Sequence, residues 1–188
     1  MERISGPLAV YGHCAGVAVA VELARELEQR GADLRAVYLG AALPDPNPAA
    51  SLEREHTSSD GEMFSFISSL GGFDGPLASD DATRILQVLR HDLVEASRFF
   101  ARGYESPGRR LRAPVRCLLG AEDPATATSE DQYREWGMFA TSIELTVIPG
   151  AGHYFMKHQA AEVADIIARY HPDGDERAVP AHEKQVSP

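Results

Sequence analysis

The run Val10-Tyr11-Gly12-His13-Cys14-Ala15-Gly16 leaves this chain few ways to fold. Before it, Leu8 to Tyr11 is a short apolar run that predicts a strand. After it, Val17, Val21, Ala24 and Leu27 recur at helical spacing, and Gly31 is a stop signal. The reversal between them is tight, and Gly12 and Gly16 are read as the residues that make room by lacking a Cβ. Strand, sharp turn and helix around G-x-C-x-G match the G-x-S-x-G nucleophile elbow with sulfur in place of oxygen. Cys14 sits at the apex, against the positive end of the helix, where negative charge is stabilised. A glycine-rich turn around a small buried cysteine has the same letters; the flanking strand and helix are what favour a placed nucleophile.

The rest of the chain reads as an α/β fold. Leu34 to Leu43 contains Ala36-Val37-Tyr38-Leu39, an apolar run typical of a strand buried on both faces, ended by Pro44-Asp45-Pro46-Asn47-Pro48. Strand, helix, strand predicts a parallel pair. From about Ala49 to Gly108 no strand pattern recurs. Met63, Phe64, Phe66, Ile67 and Leu70 form one apolar cluster ended by Gly71-Gly72, and a longer helix carries Ile85, Leu86, Leu89, Leu93, Ala96 and Phe100. A helical insertion between two strands is a candidate lid, although most of such a stripe is ordinary packing. Val115 to Gly120 resumes the sheet, Ile143 to Ile148 is its last strand, and a final helix carries Val163, Ile166, Ile167 and Tyr170. The expected organisation is a core of residues 1–48 and 109–171, a lid over 49–108, and a polar, proline-bearing tail over 172–188 without fixed structure.

Several classes are disfavoured. The net charge of -10 argues against nucleic acid and anionic membrane surfaces as partners. No apolar run is long enough to span a bilayer, and Met1 to Pro7 has no apolar signal region, so the expected location is the cytoplasm. Two cysteines are too few for a disulfide framework, and Cys117, inside a strand, reads as a small buried hydrophobe. His153 and His158 lack H-E-x-x-H spacing, and there is no C-x-x-C and no G-x-x-x-x-G-K, so neither metal nor cofactor is expected.

Two further residues join Cys14. Asp123, in Ala121-Glu122-Asp123-Pro124, follows the strand ending at Gly120; Asp-Pro is often only a turn, but the carboxyl end of a parallel strand is where ligand chemistry collects. His153 follows Pro149-Gly150-Ala151-Gly152 and precedes Tyr154-Phe155, whereas His56, His91, His171 and His182 are expected to face solvent. Cys14, Asp123, His153 is the nucleophile, acid, base order of an α/β-hydrolase triad. In that arrangement His153 takes the thiol proton, Asp123 fixes its tautomer, and the Ala15 backbone N–H is one oxyanion donor.

From about Leu8 to Tyr170 the chain resembles the type II, editing thioesterases of polyketide and nonribosomal peptide assembly lines. The resemblance is carried by Tyr11-Gly12-His13-Cys14-Ala15-Gly16 against the family's G-H-S-x-G, the Leu-Ala-Arg-rich helix after it, Ser69-Leu70-Gly71-Gly72, Leu119 to Pro124, and Pro149 to Phe155. Thioesterase domains fused to synthetases often place the acid after the strand corresponding to Val37-Tyr38-Leu39, where this chain has Gly40-Ala41-Ala42, so the discrete type is the better match. The resemblance implies an α/β-hydrolase-like, mostly parallel sheet with flanking helices, and an acyl or peptidyl carrier protein with its phosphopantetheine arm as partner. Cysteine in place of serine implies a thioester intermediate, which passes its acyl group more readily to an amine or thiol than to water. The family's first strands and the loop giving the second oxyanion donor are absent here, which would leave Leu8 to Tyr11 as an edge open to a second copy or a completing chain. The alternative reading is a binding or assembly module with impaired turnover, or one half of a split hydrolase.

Overall fold

The computed structural model describes residues 6–73, 79–106, 108–127 and 131–170; the tail expected over 172–188 lies outside them. Four parallel strands, β1 (Leu8–His13), β2 (Leu34–Gly40), β3 (Val115–Gly120) and β4 (Ile143–Ile148), lie side by side in chain order. Helix α1 (Gly16–Gln29) joins β1 to β2. Helices α2 (Pro48–Thr57), α3 (Asp60–Ser69) and α4 (Ser79–Glu105) fill the interval between β2 and β3. A 3₁₀ helix (Gln132–Met138) precedes β4, and α5 (Phe155–His158) and α6 (Ala160–Tyr170) follow it.

The strand alternation of β2 explains why its sequence is apolar without a break. Val37 and Leu39 enter a core with Val17, Val21 and Ala24 of α1, Phe99 and Phe100 of α4, and Trp136 and Phe139. Ala36 and Tyr38 enter a second core on the opposite face with Phe155, Val163 and Ile166. Both faces are covered, as parallel sheets require. Glu28, buried near the end of α1, accepts hydrogen bonds from the backbone N–H groups of Arg112 and Ala113, both at 2.8 Å, and so ties the helix to the approach to β3. A third cluster, Met63, Ile67 and Leu86, holds α3 to α4. Asn47 caps α2, and Ser59 with Glu62 forms a capping box on α3, which fixes where each short helix begins. No helix among the described residues is long and apolar enough to cross a membrane.

Candidate active site

The elbow is built as its sequence implies, with one exception. β1 runs two residues beyond Tyr11 to His13, and the ladder continues to the apex, where the Cys14 N–H donates to Gly40 O at 2.9 Å. Cys14 itself has φ +51°, the left-handed region that a side-chain-bearing residue occupies only when its surroundings enforce it. A Cβ on Gly12 would lie 2.6 Å from the Ala20 Cβ and 2.7 Å from Gly16 O, so a glycine is required there. Gly16 is the exception: a Cβ would meet nothing within 4 Å, and the turn does not need it bare. Ala15 is the N-cap of α1, and both Cys14 and Ala15 border the pocket.

Asp123 and His153 meet at the carboxyl end of β3. The chain carrying His153 crosses Gly120 so closely that a Cβ there would sit 2.3 Å from Ala151 O, and the Glu122 N–H donates to that same carbonyl at 2.8 Å. His153 Nδ1–H donates to Asp123 Oδ2 at 3.0 Å, with Asp123 1% and His153 2% exposed. Thr126 Oγ1 donates to the same carboxylate oxygen and the Ala125 N–H to the other, each at 2.9 Å. Burial by itself would raise the Asp123 pKa, but the hydrogen bond and charge of His153 and the Ala125 and Thr126 donors outweigh it and hold it below its ordinary value. Burial would likewise lower His153, but its bond to Asp123 and its interaction with Cys14 prevail and hold its pKa up at about 9. Nε2 of His153 is buried and has no hydrogen-bond partner of ordinary geometry among the described residues, while Cys14 is close enough to help raise the ring's pKa.

Tyr11 and His13, which the sequence did not single out, brace His153 from behind. His13 Nε2–H donates to the His153 carbonyl oxygen at 2.9 Å, which leaves Nδ1 to accept from the Tyr11 hydroxyl, also at 2.9 Å. The ring packs edge-on against Phe155 at 5.0 Å. Burial first, and then the nearby His153 charge, push the His13 pKa down to about 4, consistent with a neutral bridging ring. Gly40 makes the space, since a Cβ there would lie 2.5 Å from the Tyr11 hydroxyl. Their only sequence signal was adjacency to the elbow; the partner carbonyl lies at the other end of the fold.

Cys117 is fully buried in β3, and burial pushes its thiol up to about 12. His56 and His91 are exposed, as expected. His171 and His182 lie outside the described residues. A pocket of about 360 Å³ opens beside Cys14 and His153, walled by the β2–α2 connection and by α2, α3 and α4.

A parallel sheet with a nucleophile elbow on β1 and an acid and a histidine at successive strand ends defines an α/β-hydrolase. Residues 2–170 match the model of the thioesterase domain, and the chain belongs to that family. It is 32% identical over 179 residues to the probable cadicidin biosynthesis thioesterase of Streptomyces griseus, covering 93% of this chain and 46% of that protein. It is 30% identical over 167 residues to thioesterase PikA5 of Streptomyces venezuelae, covering 87% and 56%. The chain therefore spans about half the length of these relatives. The RedJ thioesterase of the prodiginine biosynthetic pathway in Streptomyces coelicolor superposes with a TM-score of 0.64 at 28% identity, over 84% of this chain and 61% of that structure.

Proposed function

We propose that the chain is a thioesterase that removes acyl groups from phosphopantetheinyl carrier proteins in polyketide or nonribosomal peptide biosynthesis, through an acyl-Cys14 intermediate. The observation that carries this is the buried Asp123–His153 pair set beside Cys14 at the mouth of one pocket. Relatives named as thioesterases of antibiotic-type pathways support the substrate class. The Cys14 sulfur, its proton taken by His153, attacks the thioester carbonyl carbon, and the oxyanion so formed accepts from the Ala15 N–H. The bond to the phosphopantetheine sulfur then breaks, and imidazolium His153 returns its proton to that sulfur. In the second half His153 deprotonates a water that attacks the acyl-Cys14 carbonyl; the carboxylic acid departs and the thiol is restored. Asp123 holds the Nδ1–H tautomer throughout, leaving Nε2 to move the protons. An amine or thiol acceptor would replace water by the same steps.

A second reading, one part of a split hydrolase or a carrier-gripping module with little turnover, is favoured by β1 having a neighbour on one side only among the described residues. Mixing the chain with an acyl-N-acetylcysteamine thioester and following the free acid and the mass of the protein separates the two. Acid release that Cys14→Ala abolishes supports the first reading; a chain that neither acylates nor turns over supports the second.

A further inference from the structure

The pocket beside Cys14 has an apolar wall made of Phe66, Ile67, Leu70, Leu93 and Phe100, while Asp45, Ser51, Arg54, Thr126 and Gln132 line other parts of it. Hydrocarbon of that kind is all an unsubstituted acyl chain requires. Buried polar side chains also face the pocket, among them Glu55 from α2 at 9% exposure and Ser97 from α4 at 6%. Ser97 Oγ donates to Glu55 Oε1 at 2.9 Å, linking the two helices. The other oxygen, Oε2, is shielded from solvent and has no hydrogen-bond partner among the described residues. The neighbouring guanidinium groups are engaged elsewhere: Arg54 donates to Ser51 Oγ at 2.7 Å, and Arg90 to the Glu55 backbone carbonyl at 2.6 Å and to Asp60 at 2.9 Å. Buried carboxylate oxygens without a donor are rare in protein interiors, and this one belongs to a residue that lines the pocket beside Cys14.

We propose that Glu55 makes the pocket select acyl chains carrying a hydroxyl group over plain alkyl chains of the same length, an inference that rests on the thioesterase reading above. Burial raises the Glu55 pKa, opposed by the Ser97 bond and the Arg54 charge. A hydroxyl suits either protonation state, donating to the carboxylate and accepting from the acid. An ammonium serves only the ionised form, and a methylene serves neither. Because Oε2 is out of bulk water, a chain lacking the hydroxyl leaves it unpaired where that is most unfavourable.

The test uses amide analogues of acyl-N-acetylcysteamine, in which nitrogen replaces the scissile sulfur, so that binding is read without turnover. The octanoyl chain is left plain or given one hydroxyl at the β, δ or ω carbon, and affinities are measured by calorimetry. At least one hydroxylated chain is expected to bind the wild type about tenfold more tightly than the plain one. Glu55→Leu should erase that preference, and Glu55→Gln should keep part of it, with circular dichroism checking each fold. Equal affinities across the series, a preference that survives Glu55→Leu, or no binding of any analogue would each overturn the proposal; the wild-type series decides even if a variant fails to fold. Analogues that bind with the expected preference while the matching thioesters are neither hydrolysed nor transferred would instead overturn the thioesterase reading.

Discussion

The two cysteines of this chain differ in everything that governs reactivity. Cys14 is half-exposed on a strained elbow beside His153, whereas Cys117 is sealed in β3 with its thiol pushed up to about 12. Iodoacetamide or an acyl thioester should therefore modify Cys14 alone, and peptide mapping that finds Cys117 labelled first would refute the assignment. Within the triad, His153→Ala should slow acylation by about a hundredfold, and Asp123→Ala by less, because the base moves the proton and the acid only orients it. Single-turnover acylation followed by intact mass reads both. His13 makes a prediction of a different kind. Its ring stays neutral in the fold down to about pH 4 while the unfolded ring takes a proton near 6.5, so its contribution is complete above 6.5 and is lost as the pH falls toward 4. Asp123, lowered from 3.8, acts below that window; the contribution of His153, raised to about 9, is complete below 6.5 and is lost as pH rises through 9; Glu55, with its raised pKa, works in the opposite direction. His13→Gln, which can still bridge Tyr11 to the His153 carbonyl, should thus flatten the loss of stability to urea between pH 6.5 and 4, and an unchanged slope would contradict the neutral bridge. That Cys14, Asp123 and His153 would lie together was legible in the sequence because each follows a recognisable strand. The brace was not, because hydrogen bonding to a distant carbonyl leaves no pattern in neighbouring residues.

Among the elements, strands were the easiest to read and the 3₁₀ helix the hardest. β2 announces itself by an unbroken apolar run, since both its faces are covered, and its outward-facing neighbour β1 by a shorter one. β1 nevertheless extends to His13, because ladder bonds continue into the elbow whatever the side chains are. Gln132–Met138 buries Trp136 fully but has no helical or alternating period, so no pattern betrayed it. The interval between β2 and β3 was readable as helical, and its packing now gives that a physical consequence. The α3–α4 contact rests on the small cluster of Met63, Ile67 and Leu86, while Phe66 and Val88 remain 48% and 57% exposed. Few buried contacts mean a low free energy of local opening. Residues Met63 to Phe100, so far as they are described, should therefore exchange amide hydrogens faster than β2 and β3, and slow down when an acyl-amide analogue is bound. Protection equal to that of the strands, with and without ligand, would show a fixed roof instead of a moving lid.

For the molecule as a whole, the decisive feature is that β1 occupies an end of the sheet. Among the described residues β1 bonds only to β2, so one side of the strand that leads into Cys14 has no partner there. On the neighbouring helix Val19 and Leu23 are 70% and 47% exposed, an apolar addition to an already adhesive edge. Edges of this kind recruit other chains unless they are covered. The site has a matching requirement. The Ala15 N–H is one candidate oxyanion donor, and acyl-transfer sites of this class use two; loss of one typically lowers turnover by roughly a hundred- to a thousandfold. One event could meet both needs, namely the docking of a second copy, or of a separate polypeptide, along Leu8 to Tyr11. The purified 188-residue chain should then scatter light as a species heavier than one chain, or be a sluggish monomer that a completing polypeptide accelerates. Val19→Lys beside the edge should shift the heavier species toward monomer and lower acylation with it, leaving the far-ultraviolet circular dichroism unchanged. A well-folded monomer with brisk thioester turnover would mean that the β1 edge is closed without a partner and that the second donor comes from within the chain.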